Sequence, residues 1–164
     1  MGQTSLFGAI QKWFEDKGFE VLVTGGSRDF VISISDLFSG GFKIPDLVGV
    51  NHNNRVAIVE VEEKPDKFFD ALGRCLLWRC KASIVYLAFP EKTCPKAVFL
   101  DRTGIGLVKV NENGAVYEII SMFEKEPKRI NEPKFGATEL HPTDSAKEMQ
   151  LAEYIRQTIR KISQ

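Results

Sequence analysis

Residues 44–63, reading IPDLVGVNHNNRVAIVEVEE, constrain this chain more than any other stretch. Two apolar runs of strand length flank Asn51-His52-Asn53-Asn54, a cluster of turn formers, so the segment predicts a β-hairpin. Within those runs stand Asp46, Glu60 and Glu62. A carboxylate is seldom buried alone, because desolvating its charge is costly unless it is paired or holds a metal. Any fold that buries this hairpin must accommodate three acids.

Side chains alternate faces along a strand, which groups Asp46 with Val48 and Val50. On the second run Val56, Ile58, Glu60 and Glu62 share a face, while Ala57, Val59 and Val61 take the other. With Asn51 to Arg55 as the loop, Val50 faces Val56 and Asp46 lies opposite Glu60, Cβ atoms roughly 5 Å apart. Glu62 falls on the same face, diagonal to Asp46. A slip of one residue would put the acids on opposite faces. In the first register the carboxylates converge on a point that suits a hard divalent cation such as Mg²⁺.

At 164 residues the chain is expected to form one domain with a sizeable core. Its 43% hydrophobic and 27% charged residues are those of a soluble globular protein. The formal net charge is zero, which excludes a global basic signature, so any nucleic-acid surface must be local. Cys75, Cys80 and Cys94 are odd in number and follow no metal spacing, so they read as reduced cysteines. No apolar run is long enough to span a membrane and no signal-peptide pattern opens the chain, so the cytoplasm is expected. His52 in a turn and His141 before a proline belong to no catalytic arrangement.

Leu6, Ile10, Trp13 and Phe14 at helical spacing predict a helix over 4–17, stopped by Gly18. Short strands are expected over 19–24 and 30–34. Gly25-Gly26-Ser27 reads as a turn that matches no phosphate-loop pattern, and residues 38–42 as a Gly-rich loop. After the hairpin, Pro65 opens a helix to about Lys81, on which Arg74 and Trp78 are neighbours four residues apart. SIVYLAF at 83–89 has the continuous apolar character of a central strand buried on both faces. A short helix is predicted over 93–101, then a second hairpin whose strands, 104–110 and 115–120, flank Asn111-Glu112-Asn113-Gly114. Residues 122–142 form a polar arm rich in lysine and proline. Ser145-Ala146-Lys147-Glu148 matches a capping box and opens a C-terminal helix over 143–163, with Leu151, Ile155, Ile159 and Ile162 along one face. The expected fold is α/β: a single domain, core about 4–121, built as a mixed β-sheet flanked by helices.

The stretch from Ile44 to Pro90 resembles the PD-(D/E)XK nuclease superfamily, whose members share the restriction-endonuclease-like three-layer core. Pro45-Asp46 is similar to the family's PD, and Glu60-Val61-Glu62 occupies the place of its (D/E)XK tripeptide. Ala71-Leu72-Gly73-Arg74-Cys75-Leu76-Leu77-Trp78 resembles the helix that follows, where relatives often carry Gln and Tyr in place of Arg74 and Trp78. The resemblance implies a metal-dependent endonuclease acting on DNA, with RNA left open. Asp46, Glu60 and the backbone carbonyl of Val61 would bind Mg²⁺ or Mn²⁺, which polarises the scissile phosphate and activates water. Nucleases that cut both strands often work as dimers, and the C-terminal helix is the contact expected for a homodimer.

This chain departs from the pattern at two places. Glu62 stands where the family has the lysine that steadies transition-state charge. It could instead act as a general base or recruit a second cation, with Lys64 or Lys67 donating nearby; Glu62-Glu63-Lys64 is an alternative alignment of the tripeptide. The first helix also lacks an acid at the family's usual place: Glu15 and Asp16 sit near its end, and Glu20 is the candidate substitute. Arg74 is read either as a partner of a hairpin acid or, with Trp78 and Lys67, as a contact for substrate phosphate. The rival to catalysis is a module that keeps the fold but only binds nucleic acid or a protein.

Overall fold

The computed structural model describes residues 3–25, 30–34, 41–123 and 145–163. Gly26, Ser27, residues 38–40 of the expected Gly-rich loop, His141 and the polar arm from residue 124 lie outside them. The elements run α1 (Gln3–Asp16), β1 (Glu20–Val23), β2 (Ile32–Ser33), β3 (Phe42–Lys43), β4 (Leu47–Val50), β5 (Val56–Val61), α2 (Phe68–Trp78), β6 (Ile84–Pro90), β7 (Gly106–Val110), β8 (Val116–Ile120) and α3 (Ser145–Ile162). Six strands form one mixed sheet in the order β1-β4-β5-β6-β7-β8, and β2 pairs with β3 separately. β4 and β5 are antiparallel, while β5, β6 and β7 run parallel at the centre.

Parity along the central strands sorts the core into two layers. Val56 and Ile58 of β5, with Val85, Leu87 and Phe89 of β6, pack with Ala71, Cys75 and Trp78 of α2 and Ala152 and Ile155 of α3. Ala57, Val59, Val61, Ile84, Tyr86 and Ala88 pack on the other face with Leu6, Ile10 and Phe14 of α1. The apolar run of β6 is thus buried on both faces, as its sequence requires. Helices on both sides of the sheet make three layers. No helix among the described residues is long and apolar enough to cross a membrane.

Both hairpins close with the same five-residue device. The Oδ1 of Asn51 accepts the N–H groups of Asn53 and Arg55, and that of Asn111 accepts those of Asn113 and Ala115. The fourth loop position turns left-handed in both, at Asn54 (φ 62°) and Gly114 (φ 83°), residue types that tolerate it. Gly106 answers a different demand. It pairs with Tyr86, and a Cβ there would lie 2.4 Å from the Tyr86 ring.

Four local expectations are corrected. In place of a helix over 93–101 there are two 3₁₀ turns, Glu91–Thr93 and Ala97–Leu100, because Pro95 between them supplies no N–H and disfavours helix in the residue before it. Pro65–Lys67 is a 3₁₀ turn leading into α2, which ends at Trp78. Phe42, read as the end of a loop, belongs with Lys43 to a strand that pairs with β2. On α3 the expected face packs inward at Ile155, with Leu151 and Ile159 partly buried against the same core and joined by Glu148, Ala152 and Thr158, while Ile162 is exposed. Glu148 adds a polar anchor to that face: its Oε2 accepts the N–H groups of Val56 (3.3 Å) and Ser83 (2.6 Å), so that one carboxylate caps the start of β5 and the approach to β6.

Candidate functional site

The hairpin register places the first two acids together. Val50 pairs with Val56 and Leu47 with Val59, so Asp46, one residue before β4, stands opposite Glu60. Asp46 is fixed from both sides. Its carbonyl accepts the N–H groups of Thr24 and Gly25, and its Oδ2 accepts that of Val61 at 2.8 Å. The hydroxyl of Thr24 donates to the carbonyl of Pro45, a short contact that pins the residue before Asp46. No sequence signal connects Thr24 to this site, because the two segments meet only through β1–β4 pairing.

Glu60 is 2% exposed, which for a carboxylate demands partners. α2 supplies them. Trp78 donates from Nε1 to Oε1 at 2.6 Å, and Arg74 from Nε to Oε2 at 3.2 Å. Four residues apart on one helix, both side chains reach the same acid. Trp78 is fully buried and its N–H is consumed by Glu60, so it orients the acid and offers no surface to a ligand. Arg74 remains partly exposed and lines an open cleft with Ile34, Lys43, Phe69, Asp70 and Leu77.

Burial raises the Glu60 carboxyl from its ordinary value to about 8; the charge of Asp46 and a hydrogen bond with it push the same way, and Trp78 and Arg74 oppose them. Burial would lower Arg74, but the Glu60 charge, the hydrogen bond to Glu60 and the Asp46 charge outweigh it and hold the guanidinium above its usual value. Burial and Asp46 thus favour the protonated form of Glu60, against the pull of Trp78 and Arg74. Beneath it Cys75 is wholly buried and its thiol is pushed well up, which leaves it without nucleophilic character.

The remaining expected residues are distributed differently. Glu62 lies just past β5 and turns back on its own loop, where Oε1 accepts the N–H groups of Glu63 (3.1 Å) and Lys64 (3.0 Å). The third carboxylate does not join the pair: among the described residues no three His, Cys, Asp or Glu side chains gather to hold a metal. Lys64 and Lys67 stand exposed on the following turn, Lys67 facing Asp70 at 3.9 Å. The first helix contributes no acid, since α1 packs on the opposite face of the sheet from Trp78. Its Glu15 and Asp16 are exposed and engaged by Gln11 and Lys12. Glu20 pairs with Val50, at the other end of β4 from Asp46, and its carboxylate lies 3.9 Å from Arg156.

Comparison with known proteins bears on the architecture. No protein-family model matches this chain, and no curated protein matches it. It is similar to the solved structure of SPO1766, a protein of unknown function from Silicibacter pomeroyi, with a TM-score of 0.61 and 12% identity over 96% of this chain and 86% of that one. At that identity the likeness is one of fold.

Proposed function

We propose that this protein is a metal-dependent nuclease of the PD-(D/E)XK kind, hydrolysing DNA phosphodiester bonds at Asp46 and Glu60. The observation that carries this reading is the acid pair: two carboxylates that the hairpin register sets opposite each other, one of them 2% exposed. A divalent cation would offset the burial and the Asp46 charge that raise the Glu60 carboxyl. The donors suit Mg²⁺ or Mn²⁺, because a carboxylate offers about four lone-pair sites. Besides the hydrogen bond between the two acids, Glu60 uses one site on each oxygen and Asp46 one on Oδ2. A strand residue's N–H and C=O leave on the same edge, so Val61, whose N–H meets Asp46, turns its carbonyl the same way. Mg²⁺ typically takes one or two carboxylates and completes its shell with water and substrate phosphate.

Once bound, such an ion would polarise the scissile phosphate and acidify an attacking water. The chain's own residues do the positioning. The Val61 N–H holds Asp46, and Trp78 and Arg74 hold Glu60. Arg74 also supplies the cation that the Glu62 position lacks: its Nε is engaged by Glu60, and the partly exposed side chain lines the cleft, where it can meet a phosphate oxygen. The reading keeps a cytoplasmic protein that pairs with a second copy through α3, whose exposed side chains include Met149 and Ile162.

A second reading, a module that binds nucleic acid or protein without cutting, is favoured by Glu62 alone, since its carboxylate serves the loop backbone where a catalytic cation is expected. Supercoiled DNA incubated with Mg²⁺, Mn²⁺ or EDTA separates the two. Nicking that requires metal and vanishes in Asp46→Asn, alongside a Mn²⁺-dependent rise in Tm that the variant loses, is the expected result. Cleavage unchanged in Asp46→Asn and Glu60→Gln sinks the site; DNA held in EDTA with no cutting under any metal selects the module.

A further inference from the structure

Around the first turn of α2 the surface carries large apolar side chains in water. Phe69 is 72% exposed and Phe99 55%, and both pack edge-on against the buried Phe68, at ring-centroid distances of 5.1 and 5.9 Å. The two exposed rings therefore flank one fixed ring. Open clefts adjoin them on either side of the first turn of α2. One, about 470 Å³, is walled by Pro65, Phe68, Lys92, Lys96 and Phe99. The other, about 510 Å³, is walled by Lys43, Phe69, Gly73 and Arg74, with Asp70 as its acid. Because Arg74 touches Glu60, the surface leads from Phe99 across Phe68 and Phe69 to the acid pair.

The charges along this path favour a polyanion. Lys43, Lys92, Lys96 and Arg74 line the clefts; Asp70 faces Lys67, and Lys92 meets Glu112 in a fully exposed pair that a phosphate can displace. Lysines alone would accept any nucleic acid. Exposed rings discriminate, because bases inside a duplex cannot turn a π-face to a protein, whereas unpaired bases stack on aromatic side chains. We infer that this surface is the track of a single-stranded nucleic acid, whose bases stack on Phe69 and Phe99 while its phosphates meet Lys43, Lys92 and Lys96 and lead on to Asp46 and Glu60. The inference rests on the nuclease reading for where the strand ends, and it adds the substrate class.

Fluorescence anisotropy in EDTA tests it without cleavage, using labelled oligo-dT and oligo-U of about a dozen nucleotides, the size an OB-fold-like site covers, against a duplex of equal length. At least one single strand binds about tenfold tighter than the duplex. The double variant Phe69→Ala/Phe99→Ala, whose truncated rings are solvent-exposed and whose circular dichroism checks its folding, loses about 10- to 100-fold on single strands and little on duplex. Lys92→Ala/Lys96→Ala lowers the salt slope by about 0.7 per lysine. Equal single-strand and duplex affinity, single-strand binding unchanged in the phenylalanine variant, or binding of neither overturns the track. Asp46→Asn tests the cutting site separately. Ring-dependent single-strand binding with no metal-dependent cleavage keeps the track and removes the nuclease; metal-dependent duplex cutting indifferent to the rings does the reverse.

Discussion

Trp78 reaches from the last turn of α2 to place its indole N–H 2.6 Å from Oε1 of Glu60, beneath a fully buried ring. Replacing Trp78 by Phe keeps most of the apolar volume and removes the donor. The orphaned buried oxygen costs about 1–3 kcal/mol, and the Glu60 carboxyl rises further because one of the two influences lowering it is gone. Urea unfolding at pH 7 measures the loss. Stability equal to that of the unaltered protein would remove Trp78 from the site.

Glu60 makes stability depend on pH. Its folded-state pKa is raised to about 8 from 4.5, so between those values the native state binds more protons than the unfolded one. Stability from this group is complete at acid pH and declines as pH climbs through that window, by an amount on the order of a few kcal/mol. Glu60→Gln removes the titration, so its Tm profile between pH 5 and 8.5 is expected to be flatter. Mn²⁺ added to the unaltered protein is expected to flatten it too, by displacing the proton. Parallel profiles for Glu60→Gln and the parent would contradict the assignment.

Glu62 is tied to backbone rather than to the acid pair. Glu62→Gln retains a carbonyl acceptor for the Glu63 and Lys64 N–H groups and is expected to leave both stability and metal-dependent cleavage within about twofold. Glu62→Ala loses the acceptor at a cost of about 1 kcal/mol. A collapse of cleavage in Glu62→Gln at unchanged Tm would restore Glu62 to the chemistry.

Glu148 joins α3 to the sheet through Val56 and Ser83. Glu148→Ala leaves two backbone donors at strand starts without their acceptor, a loss of about 2–4 kcal/mol with hydrogen bonds to a charged group at the upper end of the usual range. Hydrogen exchange at the Val56 and Ser83 amides is expected to quicken more than at Leu87. Uniform protection across all three would mean the carboxylate is dispensable.

Short-range chemistry was legible in the residues. The Asn51 and Asn111 turns, the doubly buried β6 and the pairing of Val50 with Val56 all follow from side-chain alternation and turn preference, which act over a few residues. Asp46 opposite Glu60 was legible for the same reason, because a hairpin's register is local. The helix expected over 93–101, with a proline to open it, gave way to two 3₁₀ turns on either side of Pro95.

Sequence alone thus determined the alternating strands, the turns that join them and the meeting of two acids. Tertiary structure decided which charges surround those acids. That α2 would lay Arg74 and Trp78 on Glu60, that α1 would occupy the opposite face and withhold its acids, and that Glu148 would abandon a helix start for strand ends depend on contacts 14 to 92 residues apart. Such partners are selected by packing and by the cost of leaving a buried charge unpaired, and neither leaves a periodic mark in the chain.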